Sequence, residues 1–185
     1  MNNTQISKRY ALALFELADE MKILPVVESN MRMLLQAVRE VAEMRNILRS
    51  PIIKVHVKKK VVAAVFEKHV HELTMRFLNL MIIKGRETYL AGIATEFVTL
   101  CMIHQGKIEV DLTSAYNLNP SIVAEIEQII AIHTKLTPVT TLQIDPRLLG
   151  GFVVRYGDKS FDSSLRNKIT KVARDFEKNI YEKGL

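Results

Sequence analysis

Tryptophan is absent from the sequence, and the other aromatic residues are scarce. Aromatic residues make up 6% of the 185 residues, too few to alternate with basic residues as in a base-stacking surface. Cys101 is the single cysteine, so no disulfide can form within the chain, and we expect a reducing, cytosolic compartment. These shortages argue against a domain that stacks nucleic-acid bases and against a secreted, disulfide-stabilised protein.

Long apolar segments are also missing. Two of the longer apolar runs, VVAAVF at residues 61–66 and LCMI at residues 100–103, are far shorter than the roughly 18–20 residues that span a bilayer. The first twenty residues contain Glu16, Asp19 and Glu20 and no apolar core, so we expect no secretory or organelle-targeting peptide. With 48% hydrophobic and 25% charged residues, the composition predicts a globular protein without a transmembrane helix.

Positive charge is in excess, and the excess lies in the first half of the chain. The formal net charge is +6; residues 1–106 contain 15 Lys and Arg against 10 Asp and Glu, whereas residues 107–185 contain 11 against 10. The densest basic run is KVHVKKK at residues 54–60, in which Lys54 and Lys58 share a helix face. We interpret this run as a solvated helix face. The alternative is that the run contacts a negatively charged partner. Nucleic acid is such a partner, so a basic nucleic-acid-binding helical protein stays open as a second function.

Hydrophobic periodicity predicts that residues 1–106 form a bundle of six helices. Apolar residues of the first helix recur at intervals of three or four, as on one helix face: Ile6, Tyr10, Leu14, Leu17 and Met21. Leu12, Phe15 and Ala18 extend the apolar surface to a second side, so we expect this helix to contact two neighbours. Proline and glycine mark several helix limits: Pro25, Pro51, Gly85 and Gly106.

At Lys107 the hydrophobic period changes from that of a helix to that of a strand. The segment KIEVDLT places Ile108, Val110 and Leu112 on one face, and its polar residues fall on the other, as in a half-buried strand. We therefore expect a domain boundary between residues 106 and 107.

The remaining segments complete a small α+β domain at residues 107–185. Asparagine and proline at residues 119–120 open a helix, a second strand follows at residues 139–144, and a final amphipathic helix is predicted at residues 163–183. The strand-helix-strand order favours a right-handed crossover. We predict a mainly α protein: an N-terminal six-helix bundle followed by an α+β C-terminal domain with a short mixed sheet and the final helix.

The segment GGFVVRYGDKS, residues 150–160, superficially resembles a phosphate-binding loop. Such a loop has four residues between its glycines and a lysine directly after the second glycine, but here five residues separate Gly151 from Gly157, and Asp158 precedes Lys159. The intervening FVVRY is typical of a strand, and a carboxylate at this position would repel a phosphate. We predict a strand and a turn, and keep an enzyme acting on a phosphate substrate as the weaker alternative.

No pattern in the sequence points to catalysis or to metal binding. Cys101 lies in an apolar helical segment, where a thiol stays protonated. His69 and His71 are two residues apart, which on a helix separates their directions by about 200°. Three carboxylates occupy turn or helix-start positions: Asp145, Asp158 and Asp162. We expect no catalytic residue, no metal site and no cofactor.

Two segments of the sequence resemble one protein family. SKRYALALFELADE, residues 7–20, is similar to the opening helix of the delta subunit of F-type ATP synthase, called the oligomycin-sensitivity-conferring protein in mitochondria. IDPRLLGGFVVRYGDKSFDSSLRNKITKV, residues 144–172, is similar to the closing signature of that family, and the resemblance covers essentially the whole chain. The signature hairpin comprises Gly150, Gly151, Arg155, Gly157, Asp158, Asp162 and Arg166. Ser163, where many members have glycine or alanine, alters only a helix start.

The resemblance implies a non-catalytic stator, or peripheral-stalk, subunit of a proton- or sodium-translocating ATP synthase. Such a subunit would join the catalytic headpiece to the stalk, so that the headpiece does not turn with the rotor. It would be peripheral, on the cytoplasmic face of the bacterial inner (plasma) membrane. Membrane contact would come only through the complex, and no nucleic acid would be bound.

The resemblance also implies two protein partners. An amphipathic helix at the N-terminus of a headpiece alpha subunit would bind a groove between the first and fifth helices. The walls of this groove would be Tyr10, Ala13, Leu14 and Leu17 on one side and Phe77, Leu80, Met81 and Lys84 on the other. The C-terminal end of the stalk b subunit would contact the signature hairpin and the last helix, at Phe176, Ile180 and Tyr181.

Overall fold

The chain divides into two compact units, Met1–His104 and Gln105–Leu185. The structure is a computed structural model that describes residues 3–170, with side-chain burial from residue 5 onward. Within these residues the first unit consists of six α-helices, and the second combines a four-stranded mixed sheet with one α-helix and the beginning of another. The predicted fold class, a helical bundle followed by a small α+β domain, is confirmed.

The helices of the first unit begin and end close to the predicted limits. They are α1 (Asn3–Glu20), α2 (Leu24–Glu40), α3 (Ala42–Arg49), α4 (Val55–Phe66), α5 (Glu72–Ile83) and α6 (Leu90–His104), with a short 3-10 turn at Glu87–Tyr89. Pro25 lies in the first turn of α2, where its missing N–H costs nothing. Ser50, the residue before Pro51, is extended and ends α3, as the steric demand of proline requires.

Helix α6 lies at the centre of the bundle, because α1 and α2 both pack against it. The approach of α1 is close: a Cβ atom added to Gly92 would lie 2.7 Å from the Ser7 Oγ atom. Further along, the rings of Phe15 and Phe97 meet edge to face at 6.2 Å. The core also contains the buried apolar residues of α2 and α5.

The buried face of α1 differs from the predicted one. The residues that are buried are Ser7, Ala11, Leu14 and Ala18. Leu17 and Met21 of the predicted stripe are 42% and 49% exposed, and Leu12 of the second group is exposed as well. Where α1 comes closest to α6, at Ser7 and Gly92, only small side chains fit, and Leu17 and Met21 lie outside the row that the core covers.

Lys58 contradicts the predicted solvated basic face on α4. Its side chain is 3% exposed, and its ammonium group forms an ion pair with the Glu87 carboxylate. It also donates a hydrogen bond to the carbonyl oxygen of Leu48 at 3.3 Å, in the last turn of α3, where carbonyls lack partners within the helix. Lys54 and Lys60 remain exposed, so the basic run does not form one continuous surface.

The second unit has the sheet order β2-β1-β3-β4. Its strands are β1 (Lys107–Ser114), β2 (Thr137–Ile144), β3 (Phe152–Tyr156) and β4 (Lys159–Asp162), and α7 (Pro120–Thr134) connects β1 to the parallel strand β2. β3 pairs antiparallel with β1 and with β4. Val110 and Leu112 of β1 are buried against Ile126 and Ile130 of α7, so the predicted alternation in β1 is confirmed.

The signature glycines lie where two backbone segments cross. Gly151 has φ +75°, and a Cβ atom added there would lie 2.3 Å from the backbone oxygen of Ser163. The Ser163 N–H donates to the Phe152 carbonyl at 2.9 Å, and the Leu165 N–H donates to the Gly150 carbonyl at 2.9 Å. The glycine pair therefore lets the start of the final helix lie directly on the beginning of β3.

The final helix begins as predicted, with side-chain caps. The Asp162 carboxylate accepts a hydrogen bond from the Ser164 N–H at 2.9 Å, and the Ser164 hydroxyl accepts one from the Asn167 N–H at 3.2 Å, as helix-starting residues do. Residues 165–170 are helical. The rest of the predicted helix, residues 171–183, lies outside the described residues.

We expect Gly151→Ala to destabilise the second unit by more than about 2 kcal/mol. Alanine at a positive φ costs about 1–2 kcal/mol, and here its Cβ would also collide with the backbone of Ser163. Gly157→Ala is the matched control, because Gly157 has φ +53° but nothing within 4 Å of an added Cβ. Native-state hydrogen exchange of the β1 and β3 amides measures both effects. Equal effects of the two substitutions would contradict the crossing.

We expect Lys58→Met to lower the free energy of unfolding by about 3–5 kcal/mol, because it leaves the buried Glu87 carboxylate without a cation. The double variant Lys58→Met/Glu87→Leu should be more stable than the single variant, since it buries no charge. Urea unfolding measures both, and Lys60→Met, an exposed lysine on the same helix, should change the stability by less than about 0.5 kcal/mol. A double variant less stable than Lys58→Met would show that the pair is not a coupled buried unit.

Candidate protein-binding groove

The residues predicted to form a groove lie on α1 and α5. α1 packs against α6, and α5 packs against α4 and α2. Within residues 3–170 the backbones of α1 and α5 do not pack closely against each other. We call the eight predicted residues on these two helices the candidate groove.

The end of α5 is fixed by the sequence Lys84-Gly85-Arg86. Gly85 adopts φ +63°, its N–H donates to the Ile82 carbonyl at 3.1 Å, and the Arg86 N–H donates to the Met81 carbonyl at 2.8 Å. This is the Schellman arrangement, which requires a residue with a positive φ after the helix. It sets the position from which the Arg86 side chain extends.

Arg86 connects the end of α5 to α1. Its guanidinium group donates a hydrogen bond to the Tyr10 hydroxyl, and its central carbon lies 5.3 Å from the centre of the Tyr10 ring. The guanidinium carbon of Arg9 lies 5.7 Å from the same ring centre. Two cations therefore lie within 6 Å of the Tyr10 ring centre, a distance at which a cation interacts favourably with an aromatic face.

The beginning of α5 is attached to α2. The Asn30 side-chain oxygen accepts hydrogen bonds from the His71 N–H at 2.8 Å and from the Thr74 hydroxyl at 3.1 Å. The His71 ring nitrogen Nδ1 accepts a bond from the Leu73 N–H at 3.2 Å and caps the helix. Both ends of α5 are thus fixed to neighbouring helices by polar contacts.

The eight groove residues divide into a buried floor and an exposed rim. Leu14, Phe77 and Met81 are buried in the bundle core, so they support the surface and offer little of it to a partner. Leu17 and Leu80 are 42% and 44% exposed. Ala13 and Lys84 are also exposed, and Tyr10 is half-buried.

Sequence reasoning missed three residues at this surface. Arg9 and Arg86 contact Tyr10, and Met21, placed in the predicted apolar stripe, is exposed on the same side of α1 as Leu17. Gly85 predicts the end of α5, so the sequence indicates that Arg86 directly follows this helix. The sequence does not indicate that Arg86 contacts Tyr10, because Tyr10 lies 76 positions earlier in the chain.

The signature hairpin has a structural role in the second unit. Asp162 caps the start of the final helix, and Gly150 and Gly151 lie at the backbone crossing. The remaining signature residues are exposed: Arg155, Gly157, Asp158 and Arg166. The predicted stalk contacts Phe176, Ile180 and Tyr181 lie outside the described residues.

Two further acidic and basic residues meet next to the hairpin. The Arg147 guanidinium donates to both oxygens of the Asp145 carboxylate, at 2.8 and 2.9 Å. These hydrogen bonds hold the pKa of Asp145 below its ordinary value. The Arg147 side chain is exposed and that of Asp145 is partly buried, and the pair stabilises the turn between β2 and β3 locally.

The thiol of Cys101 is unsuited to nucleophilic chemistry. It is fully buried, and burial, together with the charge of Glu28, raises its pKa to about 12. Among residues 3–170 there is no group of three His, Cys, Asp or Glu side chains that could hold a metal ion. In the same residues, no helix has both the length and the apolar character to cross a bilayer.

Comparison with known proteins finds relatives along nearly the whole chain. The model of a family described as ATP synthase delta (OSCP) subunit matches residues 6–176. A Caulobacter vibrioides protein named ATP synthase subunit delta is 35% identical over 167 residues, which cover 90% of this chain and 91% of the relative. A Desulforamulus reducens protein of the same name is 31% identical over 167 residues, which cover 90% and 92%.

Solved structures with a similar fold include one of an ATP synthase. A chain in the cryo-EM structure of the Toxoplasma gondii mitochondrial ATP synthase hexamer superposes with a TM-score of 0.72. The match covers 92% of this chain and 96% of that chain at 18% sequence identity. At this identity the likeness concerns the fold.

We expect Tyr10→Phe to lower the free energy of unfolding by about 1 kcal/mol, because it removes the acceptor of the Arg86 hydrogen bond but keeps the ring. Tyr89→Phe is the matched control. Tyr89 is also half-buried in the first unit, and nothing in the described part of the chain bonds to its hydroxyl. Urea unfolding compares the two. If they are equally stable, the Arg86 bond does not hold α1 to the end of α5.

Proposed function

We propose how this chain docks within its complex, starting from the finding that it belongs to the ATP synthase delta (OSCP) subunit family. As a member, the chain is a non-catalytic peripheral-stalk subunit of an F-type ATP synthase, which confirms the family predicted from its two end segments. Its first unit, we propose, binds the N-terminal amphipathic helix of an alpha subunit in the candidate groove.

The observation that carries this proposal is the pair of exposed leucines, Leu17 on α1 and Leu80 on α5. Each leucine borders the buried face of a helix whose position is fixed by the core or by polar contacts. Ala13 and Met21 extend the apolar surface along α1. A third amphipathic helix lying between α1 and α5 would cover both sets of exposed apolar residues.

The energetics require that the partner supplies most of the buried area. Full burial of a leucine is worth about 1.5–3 kcal/mol, and the two rim leucines are already about half-buried, so they contribute roughly 2 kcal/mol together. Association costs at least about 4 kcal/mol. The floor at Leu14, Phe77 and Met81 offers little surface, so tight binding depends on apolar side chains of the incoming helix that pack against the exposed apolar rim.

This arrangement suits a stator, which must resist torque and has no transition state to stabilise. We propose that the second unit contacts the C-terminal end of the stalk b subunit through the final helix, at Phe176, Ile180 and Tyr181. The chain would then join headpiece and stalk on the cytoplasmic face of a bacterial membrane.

A nucleic-acid-binding function loses support from the burial of Lys58, which interrupts the basic run.

We expect Leu17→Asp/Leu80→Asp to weaken binding of the alpha N-terminal peptide by at least about 100-fold, because two buried carboxylates replace two apolar contacts. Isothermal titration calorimetry with the peptide from the same organism measures the affinity. Circular dichroism should show unchanged helix content, since both positions are solvent-accessible.

The matched control is Leu12→Asp/Ile83→Asp. These residues are also exposed, at 46% and 57%, on the same two helices, but they point away from the groove side of each helix. We expect less than a threefold change in affinity. Equal losses from the two double variants would contradict the groove assignment.

A further inference from the structure

Charged side chains are unevenly distributed along the candidate groove. On α1, Arg9, Glu16 and Glu20 are separated by seven and four residues, so they lie on one edge of the helix, next to Ala13 and Leu17. Arg9 and Glu20 are about 16 Å apart along the helix axis. All three side chains are exposed.

The other wall reinforces the positive end. Lys84 is exposed at the end of α5, and Arg86 reaches Tyr10, which neighbours Arg9. Arg9 and Arg86 lie within 6 Å of the centre of the Tyr10 ring, and Lys84 precedes Arg86 by two residues. This cluster of Arg9, Lys84 and Arg86 is termed the basic pole.

Towards the other end of α1 the exposed charged residues are mainly negative. Glu16 and Glu20 form what we term the acidic pole. On α5, Arg76 is paired with Glu72 at 2.5 Å, so these two charges largely cancel. Because the Debye length is about 8 Å at physiological ionic strength, the two poles act separately on a bound helix.

We infer that this charge asymmetry fixes the direction in which the partner helix binds, with the acidic end of that helix at the basic pole. The inference rests on the proposed docking of an alpha-subunit helix and adds a partner chemistry to it. Apolar contacts between helices do not distinguish the two directions well, whereas like charges brought together at both ends disfavour the reversed direction. The occupant is an amphipathic helix with carboxylates towards one end and basic residues towards the other.

Arg86 has two roles in the basic pole. Its guanidinium is already bonded to Tyr10, so it is a positioning residue for the ring and adds to the positive potential. Arg9 and Lys84 are exposed and can approach carboxylates of the partner directly. Charge reversal of these two tests the poles without removing the Arg86–Tyr10 contact.

The kinetic test uses the alpha-subunit N-terminal peptide of the same organism and the full-length chain. Arg9→Glu/Lys84→Glu should lower the association rate constant about tenfold at 50 mM salt and less than twofold at 500 mM salt, because rim charges act mainly on association and are screened. Lys54→Glu/Lys60→Glu makes the same change in net charge on exposed residues of the α4 region. This control should change the rate less than twofold at both salt concentrations.

The direction itself is tested by disulfide trapping. Cys101 is buried with a raised pKa, so a cysteine introduced elsewhere reacts alone. Ile6→Cys lies one turn before Tyr10, and Met21→Cys lies beyond the acidic pole, roughly 20 Å away along α1. A peptide with a cysteine at its acidic end should form a disulfide with Ile6→Cys at least about tenfold faster than with Met21→Cys, and a cysteine at its other end should give the reverse.

The outcomes separate the inference from the proposed function. If the wild-type chain does not bind the peptide, the docking proposal and the direction fall together. If it binds, but charge reversal leaves the rate unchanged or both cysteines are trapped equally, the directional role of the poles is wrong and the docking proposal stands. Salt-dependent slowing together with end-specific trapping supports the inference.

Discussion

The close approach of α1 to α6 determines which side chains of α1 reach the surface. At Gly92 an added Cβ would lie 2.7 Å from the Ser7 hydroxyl oxygen, so at this point the contact has no space for a larger residue. Ala11, Leu14 and Ala18 complete the buried face of α1, and Leu17 lies outside this row and is 42% exposed. The exposed apolar side chains of α1 are therefore those that the core leaves uncovered, since closely packed interiors exclude side chains that do not fit.

The sequence predicted the elements well and the buried rows less well. Alternation predicted β1, and proline predicted the limit of α3, because these signals depend on local backbone geometry. In α1 the helix was correct but the buried row was not, because Leu17 and Met21 of the predicted row are exposed. Periodicity identifies a helix with apolar faces, but neighbouring helices decide which apolar row they cover. That decision depends on distances between helix axes, which no local pattern contains.

Polar contacts between distant positions were beyond local reasoning altogether. The basic run at residues 54–60, taken by itself, predicts a solvated helix face. Its Lys58 is buried because it pairs with Glu87, which lies 29 positions further along the chain. Burial of Lys58 also depends on the Leu48 carbonyl at the end of α3. Such a site forms only when three segments meet, so its charge is stabilised by partners that lie in different parts of the sequence. The same holds for Asn30, whose side chain fixes the start of α5 from 41 positions away.

These contacts explain how a protein without catalytic chemistry meets the demand placed on a stator. The net contribution of a hydrogen bond to stability is modest, about 0.5–1.5 kcal/mol, but its geometry is specific, and a broken buried partner is costly. Asn30 and Arg86 fix the two ends of α5, and α6 fixes α1. In the proposed docking, a groove between helices held in this way would keep its width under force, because any shift would break several directional contacts together. In the second unit the crossing of Gly151 and Ser163 fixes the start of the final helix in the same manner, by backbone contacts that only glycine permits. The segment that superficially resembles a phosphate loop therefore attaches the start of the final helix to β3.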